Sequence, residues 1–184
     1  MRIITLLLSL TTIFCLSVAS MGQVEMKPAP PIDEKSPDTL FIEKVTLAGS
    51  GQVAVKFEFA NDQQLAALTI PITLKGGGYR IDSVSFADGR VAYLKMLPVT
   101  IQEDKKSVIF GAVCMTENYI PEGRGLMATL FLSTVEEEKN NPAIIDTTTI
   151  GPATLLFTKT NSVSFVPQFI AGSITHEKPA KPKE

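Results

Sequence analysis

Residues 52–74 constrain this chain more than any other stretch. From Gln52 to Phe59 the residues alternate without a break, with Val53, Val55, Phe57 and Phe59 on one side and Gln52, Ala54, Lys56 and Glu58 on the other. That is the period of a half-buried β-strand. After Asn61-Asp62-Gln63-Gln64 the alternation resumes, with Leu68, Ile70, Ile72 and Leu74 apolar and Thr69, Pro71 and Thr73 between them. Two long strands joined by a polar turn cannot bury their apolar faces alone, so the remaining chain must supply a second sheet or close this one.

The remainder has the composition to do so. Val, Ile, Thr and Phe recur in short blocks separated by Gly, Pro, Asn and Asp, and no long amphipathic helical run is present. A strand over 40–48 ends at the glycine turn 49–51. Pro71, which donates no ladder hydrogen bond, implies that strand 65–74 lies at an edge or is bulged there. Residues 79–86 alternate with a small irregularity near Asp82-Ser83. Asp88-Gly89 signals a hairpin into a strand over 90–97, and 99–101 forms a short edge piece. Residues 107–115 are apolar on both faces, with Val108, Phe110, Ala112 and Cys114 on one and Ile109, Val113 and Met115 on the other, the pattern of a central strand. In 126–133, Leu126, Ala128, Leu130 and Leu132 point inward. Further strands are expected over 143–149, 153–159, 162–166 and 169–175. The sum is an all-β, antiparallel β-sandwich of jelly-roll connection, which Pro71 and Pro98 favour over a closed barrel because they imply free edges.

The ends read differently. Arg2, the apolar run 3–18 and the small residues Ala19, Ser20 and Gly22 form an expected signal peptide over 1–22, too short for a membrane span. Residues 23–38 form a proline-rich linker, 39–175 the folded domain and 176–184 a disordered tail of alternating Lys and Pro. With Cys15 removed, Cys114 is the remaining cysteine; no intrachain disulfide is then possible, and a core position is the expectation. The chain holds 17 Lys+Arg against 19 Asp+Glu, and loss of Arg2 leaves a formal charge of −3. That balance carries no nucleic-acid footprint.

The order of features resembles the cohesin domains and their relatives. The resemblance is carried by the alternating strand 52–61, the small-residue turn into 65–74, Asp82-Ser83-Val84-Ser85-Phe86, Gly125-Leu126-Met127-Ala128-Thr129-Leu130-Phe131 and the closing Phe169-Ile170-Ala171-Gly172-Ser173-Ile174. It implies a nine-stranded jelly roll that offers one sheet face to another extracellular protein, dockerin-like or a surface component. No calcium-loop repeat of the dockerin kind follows residue 175.

The function expected is therefore a non-catalytic, secreted or cell-envelope binding module. A carbohydrate-binding module on the same sandwich is the alternative. Polysaccharide surfaces want coplanar aromatic faces, and this chain has no Trp and only Tyr79, Tyr93 and Tyr119. Tyr119, in a Pro/Gly-rich loop, is the one binding residue singled out. An enzyme is third. The sole histidine, His176, falls in the expected tail with nothing fixed around it, and Glu58, Asp62, Asp82, Asp88 and Glu117 have no spacing that brings carboxylates together. No cofactor or metal site is assigned. A spacer role in a surface assembly also fits the flanking Pro-rich segments.

Overall fold

The computed structural model describes residues 38–47, 52–115, 118–135 and 141–176. The expected signal peptide, nearly all of the proline-rich linker, the turn 49–51 and residues 177–184 lie outside them. Two sheets pack face to face. The smaller joins β1 (Thr39–Ile42), β3 (Val53–Asn61), β5 (Tyr79–Ser85), β8 (Gly123–Thr134) and β12 (Gln168–Ile170) in the order β12-β1-β3-β8-β5. The larger runs β11-β10-β4-β9-β13-β2 through β2 (Lys44–Leu47), β4 (Leu65–Gly76), β9 (Ala143–Thr147), β10 (Leu156–Lys159), β11 (Ser164–Phe165) and β13 (Gly172–His176). β7 (Ser107–Val113) pairs with β4, and β6 (Val99–Ile101) pairs with β7. The jelly-roll sandwich is thus present, its strands divided into thirteen segments among the described residues.

The alternation of residues 52–74 does the work expected of it. Val53, Val55, Phe57 and Phe59 are buried from one sheet, and Leu68, Ile70, Ile72 and Leu74 from the other. Phe57 meets Phe110 edge-on at 5.2 Å and Phe59 meets Phe157 at 6.1 Å, each contact crossing between the sheets. Such pairs add about 0.5–1.5 kcal/mol each beyond the area they bury.

Several local expectations are corrected. Residues 40–48 are not one strand: β1 pairs with β3 through Ile42, and after Glu43 the chain crosses to the larger sheet as β2. The closing strand does the same between β12 and β13, so β1–β12 and β2–β13 run parallel inside otherwise antiparallel sheets. The two crossings touch at Gly172, where a Cβ would overlap Ile42 and the Glu43 carbonyl.

Pro71 lies neither at an edge nor in a bulge. β4 is central, paired with β7 on one side and on the other with β10 through residue 69 and β9 from residue 72. Pro71 occupies the handover between those two partners, where its carbonyl accepts from Thr148 N and Thr147 Oγ1 and no ladder bond is asked of its nitrogen. Residues 90–97 are not a strand. Asp88 takes a positive φ of 62°, and Ala92 N bonds Gly89 O while Leu94 N bonds Val91 O, winding the segment into turns that bury Val91 and Leu94. In β8 the register shifts opposite Phe57/Glu58, so Met127 turns inward and Leu126 does not. The irregularity anticipated near Asp82 is a register shift between Ile81 and Ser83.

Candidate binding face

The strand registers lay the outer residues of the larger sheet into rows. Met96, Val113, Ala67, Thr158 and Ser164 stand side by side across five segments. Gly111, Thr69 and Leu156 form the next row, and Thr100, Ile109 and Pro71 the one after. Their sequence neighbours Leu68, Ile70, Phe110, Ala112 and Phe157 are buried, so these rows face out by strand alternation. No charged side chain stands in them. Gly111 is what allows the strands to sit so close here, because a Cβ at that position would overlap the Leu68 carbonyl. Charge appears beyond the rows, at Lys95 beside Met96 and toward the far end, where Lys75 Nζ lies 2.6 Å from Asp146 Oδ2 and Lys44 is exposed.

The outer face of the smaller sheet is occupied by its own side chains. Arg124 reaches Glu58 at 3.4 Å and lies 4.3 Å over the Phe41 ring. Glu43 Oε2 accepts from Lys56 N at 3.1 Å. Arg80 Nε donates to Ser133 Oγ at 3.0 Å, and that hydroxyl donates to Asp82 at 2.9 Å. The hollow among Phe41, Glu43, Lys56, Glu58 and Arg124 measures about 310 Å³.

At the Met96 end of the larger face lies a second hollow of about 460 Å³, lined by Tyr93, Leu94, Lys95, Met96, Met115 and Asn118. Tyr93 Oη donates to the Tyr119 carbonyl at 2.8 Å, fastening the 86–98 turns to the β7–β8 connection. Arg90 fastens the same connection from within. Its Nη1 donates to Asn61 Oδ1 at 3.0 Å and to Gly123 O at 2.8 Å, its Nη2 donates to Pro121 O, and its guanidinium sits 4.3 Å over the Phe59 ring. Burial lowers the Arg90 pKa, with Tyr93 acting weakly the other way. Burial raises the pKa of Tyr93 and of Cys114. Cys114 packs partly buried against the core, its thiol 3.7 Å from Leu65 O.

Tyr119, the binding residue chosen from the sequence, is half-buried and contributes its carbonyl to the Tyr93 contact. Ile120 beside it is buried and bridges Leu65, so the loop is anchored at that point. Of the other tyrosines, Tyr79 is fully buried and Tyr93 is 53% exposed. His176 is not in a tail devoid of surroundings: it ends β13, with Nε2 2.7 Å from Tyr79 Oη and its ring stacked on that of Tyr79. The acids weighed as catalytic do not meet. Glu58 faces Arg124, Asp82 takes a bond from Ser133, Asp62 N bonds Asp38, Asp88 sits in the 86–89 turn, and Glu117 lies outside the described residues.

The second apolar side of 107–115 was the sequence signal for this face. Ile109, Val113 and Met115 lie on it, and the expectation of a central strand accounts for them only in part. β7 does have a partner on each side, but no third layer covers its outer surface among the described residues.

No protein-family model and no curated protein matches the chain. Solved structures do. The seventh ScaB type I cohesin from Pseudobacteroides cellulosolvens matches over 80% of this chain and 97% of its own, at TM-score 0.66 and 15% identity. A type I cohesin–dockerin complex from Clostridium thermocellum, Coh-OlpA with Doc918, matches over 77% of this chain and 100% of the other, at 0.65 and 11%. A non-cellulosomal cohesin from the archaeon Archaeoglobus fulgidus matches over 78% and 93%, at 0.61 and 10%. The fold of this chain is that of the cohesin domains.

Proposed function

We propose that the chain is a non-catalytic extracellular module that binds a protein partner of dockerin type on the outer face of its larger sheet. The observation that carries this is the absence of charge from the three central rows, where half-buried aliphatic and hydroxyl side chains surround Gly111 and Pro71. A partner covering them strips water from few polar groups and no ions, so contact area is not offset by desolvation. The opposite face asks a partner to displace the Arg124–Glu58 ion pair and the Arg80–Ser133–Asp82 chain of bonds. The likeness in fold to cohesins solved with dockerins supports the same kind of partner. An exported location fits the apolar run at 3–18.

The test is binding of the full chain to a panel of dockerin modules, and to proteins of the native secretome, before and after Thr69→Arg. A charge at the centre of the face should weaken a true partner on the order of a hundredfold, the cost of burying it unpaired. Thr129→Arg, at a half-buried position on the outer side of the smaller sheet, lies away from the proposed face and should leave binding within about twofold. Equal sensitivity to both changes sinks the assignment of the face, and retention on a polysaccharide gel favours the carbohydrate alternative.

A further inference from the structure

We infer that the hollow between Met96 and Met115 is an anchor site for one long aliphatic or aromatic side chain of a protein partner, carried next to an acidic residue. This rests on the partner lying across the outer face of the larger sheet. Continuity is the first support. Val113 N bonds Met96 O at 3.0 Å, so Met96 opens the row that continues through Val113 and Ala67. A partner on that row reaches the hollow without crossing a charged rim.

The lining is the second support. Leu94 is buried beneath it, while Met96 and Met115 are 45% and 68% exposed. Exposed large apolar groups gathered about a hollow are the usual mark of a contact site, and thioether chains adjust to the shape placed between them. The hollow is at the small end of the range for ligand sites, suited to a side chain and its immediate neighbours. The Tyr93 ring is held in position by its bond to the Tyr119 carbonyl, so the rigid wall stands opposite two adaptable ones.

Charge is the third. Lys95 is exposed on the wall and makes no ion pair among the described residues. The rows beside it hold no acid. The complementary ligand is an apolar side chain with a carboxylate alongside; a glycan finds a single exposed ring here and no second platform among the described residues.

The full chain labelled at its methionine methyls, titrated with the blocked dipeptides acetyl-Leu-Glu-amide and acetyl-Leu-Lys-amide and separately with cellobiose, tests this by NMR. The Met96 and Met115 methyls should shift saturably with Leu-Glu, half-saturating at about two- to fivefold lower concentration than with Leu-Lys, the range of an exposed ion pair. The buried Met127 methyl should stay still. Met115→Ser, at an exposed site that leaves the fold alone, should abolish saturation. Shifts that never saturate, or cellobiose moving the same methyls at lower concentration, overturn the anchor; equal response to the two dipeptides overturns its acidic neighbour. Thr69→Arg separates the two ideas. If it abolishes partner binding while the dipeptides fail, the face stands and the anchor falls; if partner binding ignores it, the face itself falls.

Discussion

The two outer surfaces of this sandwich come from strands of the same alternating kind, yet they are finished in opposite ways. On the smaller sheet the side chains of Arg124, Glu58, Glu43, Arg80 and Asp82 are engaged with one another, with Ser133 or with the Lys56 backbone. On the larger sheet the central rows carry only threonine, serine, proline, alanine, glycine and branched or long aliphatic side chains. A surface whose charges already have partners gains little from a second molecule. One without charges has little to lose, and this asymmetry is the ground for proposing the larger sheet's face as the one that meets a partner.

The comparison is broken most directly at Gly111. Gly111→Ala should cost about 3 kcal/mol in denaturant unfolding, because the new methyl group must push β7 away from the Leu68 carbonyl. A loss below about 1 kcal/mol would mean that the close strand spacing behind the flat rows is not enforced there. Arg90→Met comes next. It removes the donors that hold Asn61, Pro121 and Gly123 while keeping the bulk over Phe59, and about 2 kcal/mol of destabilisation is expected, with faster amide exchange in residues 119–123. Glu58→Gln on the smaller face should cost under about 1 kcal/mol, since both partners of its ion pair are well exposed. A larger loss would show that this face is built for more than solvation.

Smallest near neutrality is the response to pH. Burial raises the pKa of Tyr79, Tyr93 and Cys114, so the unfolded chain releases these protons first. Their contribution is complete below the unfolded values, about 8.5 for the thiol and about 10 for the phenols, and is lost as pH rises through the folded ones. Thermal melts should therefore be flat in this respect from pH 6 to 8 and fall above about pH 10. Tyr79→Phe should shallow that fall, and an unchanged slope would place the alkaline sensitivity at the other two groups.

Much of the architecture was legible because strand alternation is a local code. The inward sets of β3 and β4, the central place of β7 and the irregularity at Asp82 follow from period alone. What was not legible depends on partners distant in sequence. Pro71 is harmless because β10 ends and β9 begins beside it, and no local pattern announces that. Asp88-Gly89 makes a turn, as its residues suggest, but Arg90 then goes inward to carbonyls at 121 and 123 instead of starting a strand. His176 looked like part of the Lys/Pro tail because its partner, Tyr79, lies ninety-seven positions earlier. The proposed binding surface was half visible: the second apolar side of 107–115 was noticed, but a buried sheet face and an uncovered one leave the same trace in sequence. Tyr119 drew attention as an aromatic in a loop, while Tyr93 and the two methionines, which carry more of the exposed surface, sat in stretches taken for strands.

The parallel pairing at the sandwich seam also bears on how the molecule would carry a load. β1 and β2 run alongside β12 and β13 in the same direction, so the backbone enters at Asp38 near one pole and leaves at His176 near the other. Tension applied between those points pulls the paired segments lengthwise past each other, stressing the three residue pairs of β1 with β12 and the four of β2 with β13 together instead of peeling them one at a time. Seven residue pairs loaded in shear give way together, which is the geometry in which backbone hydrogen bonds oppose extension most.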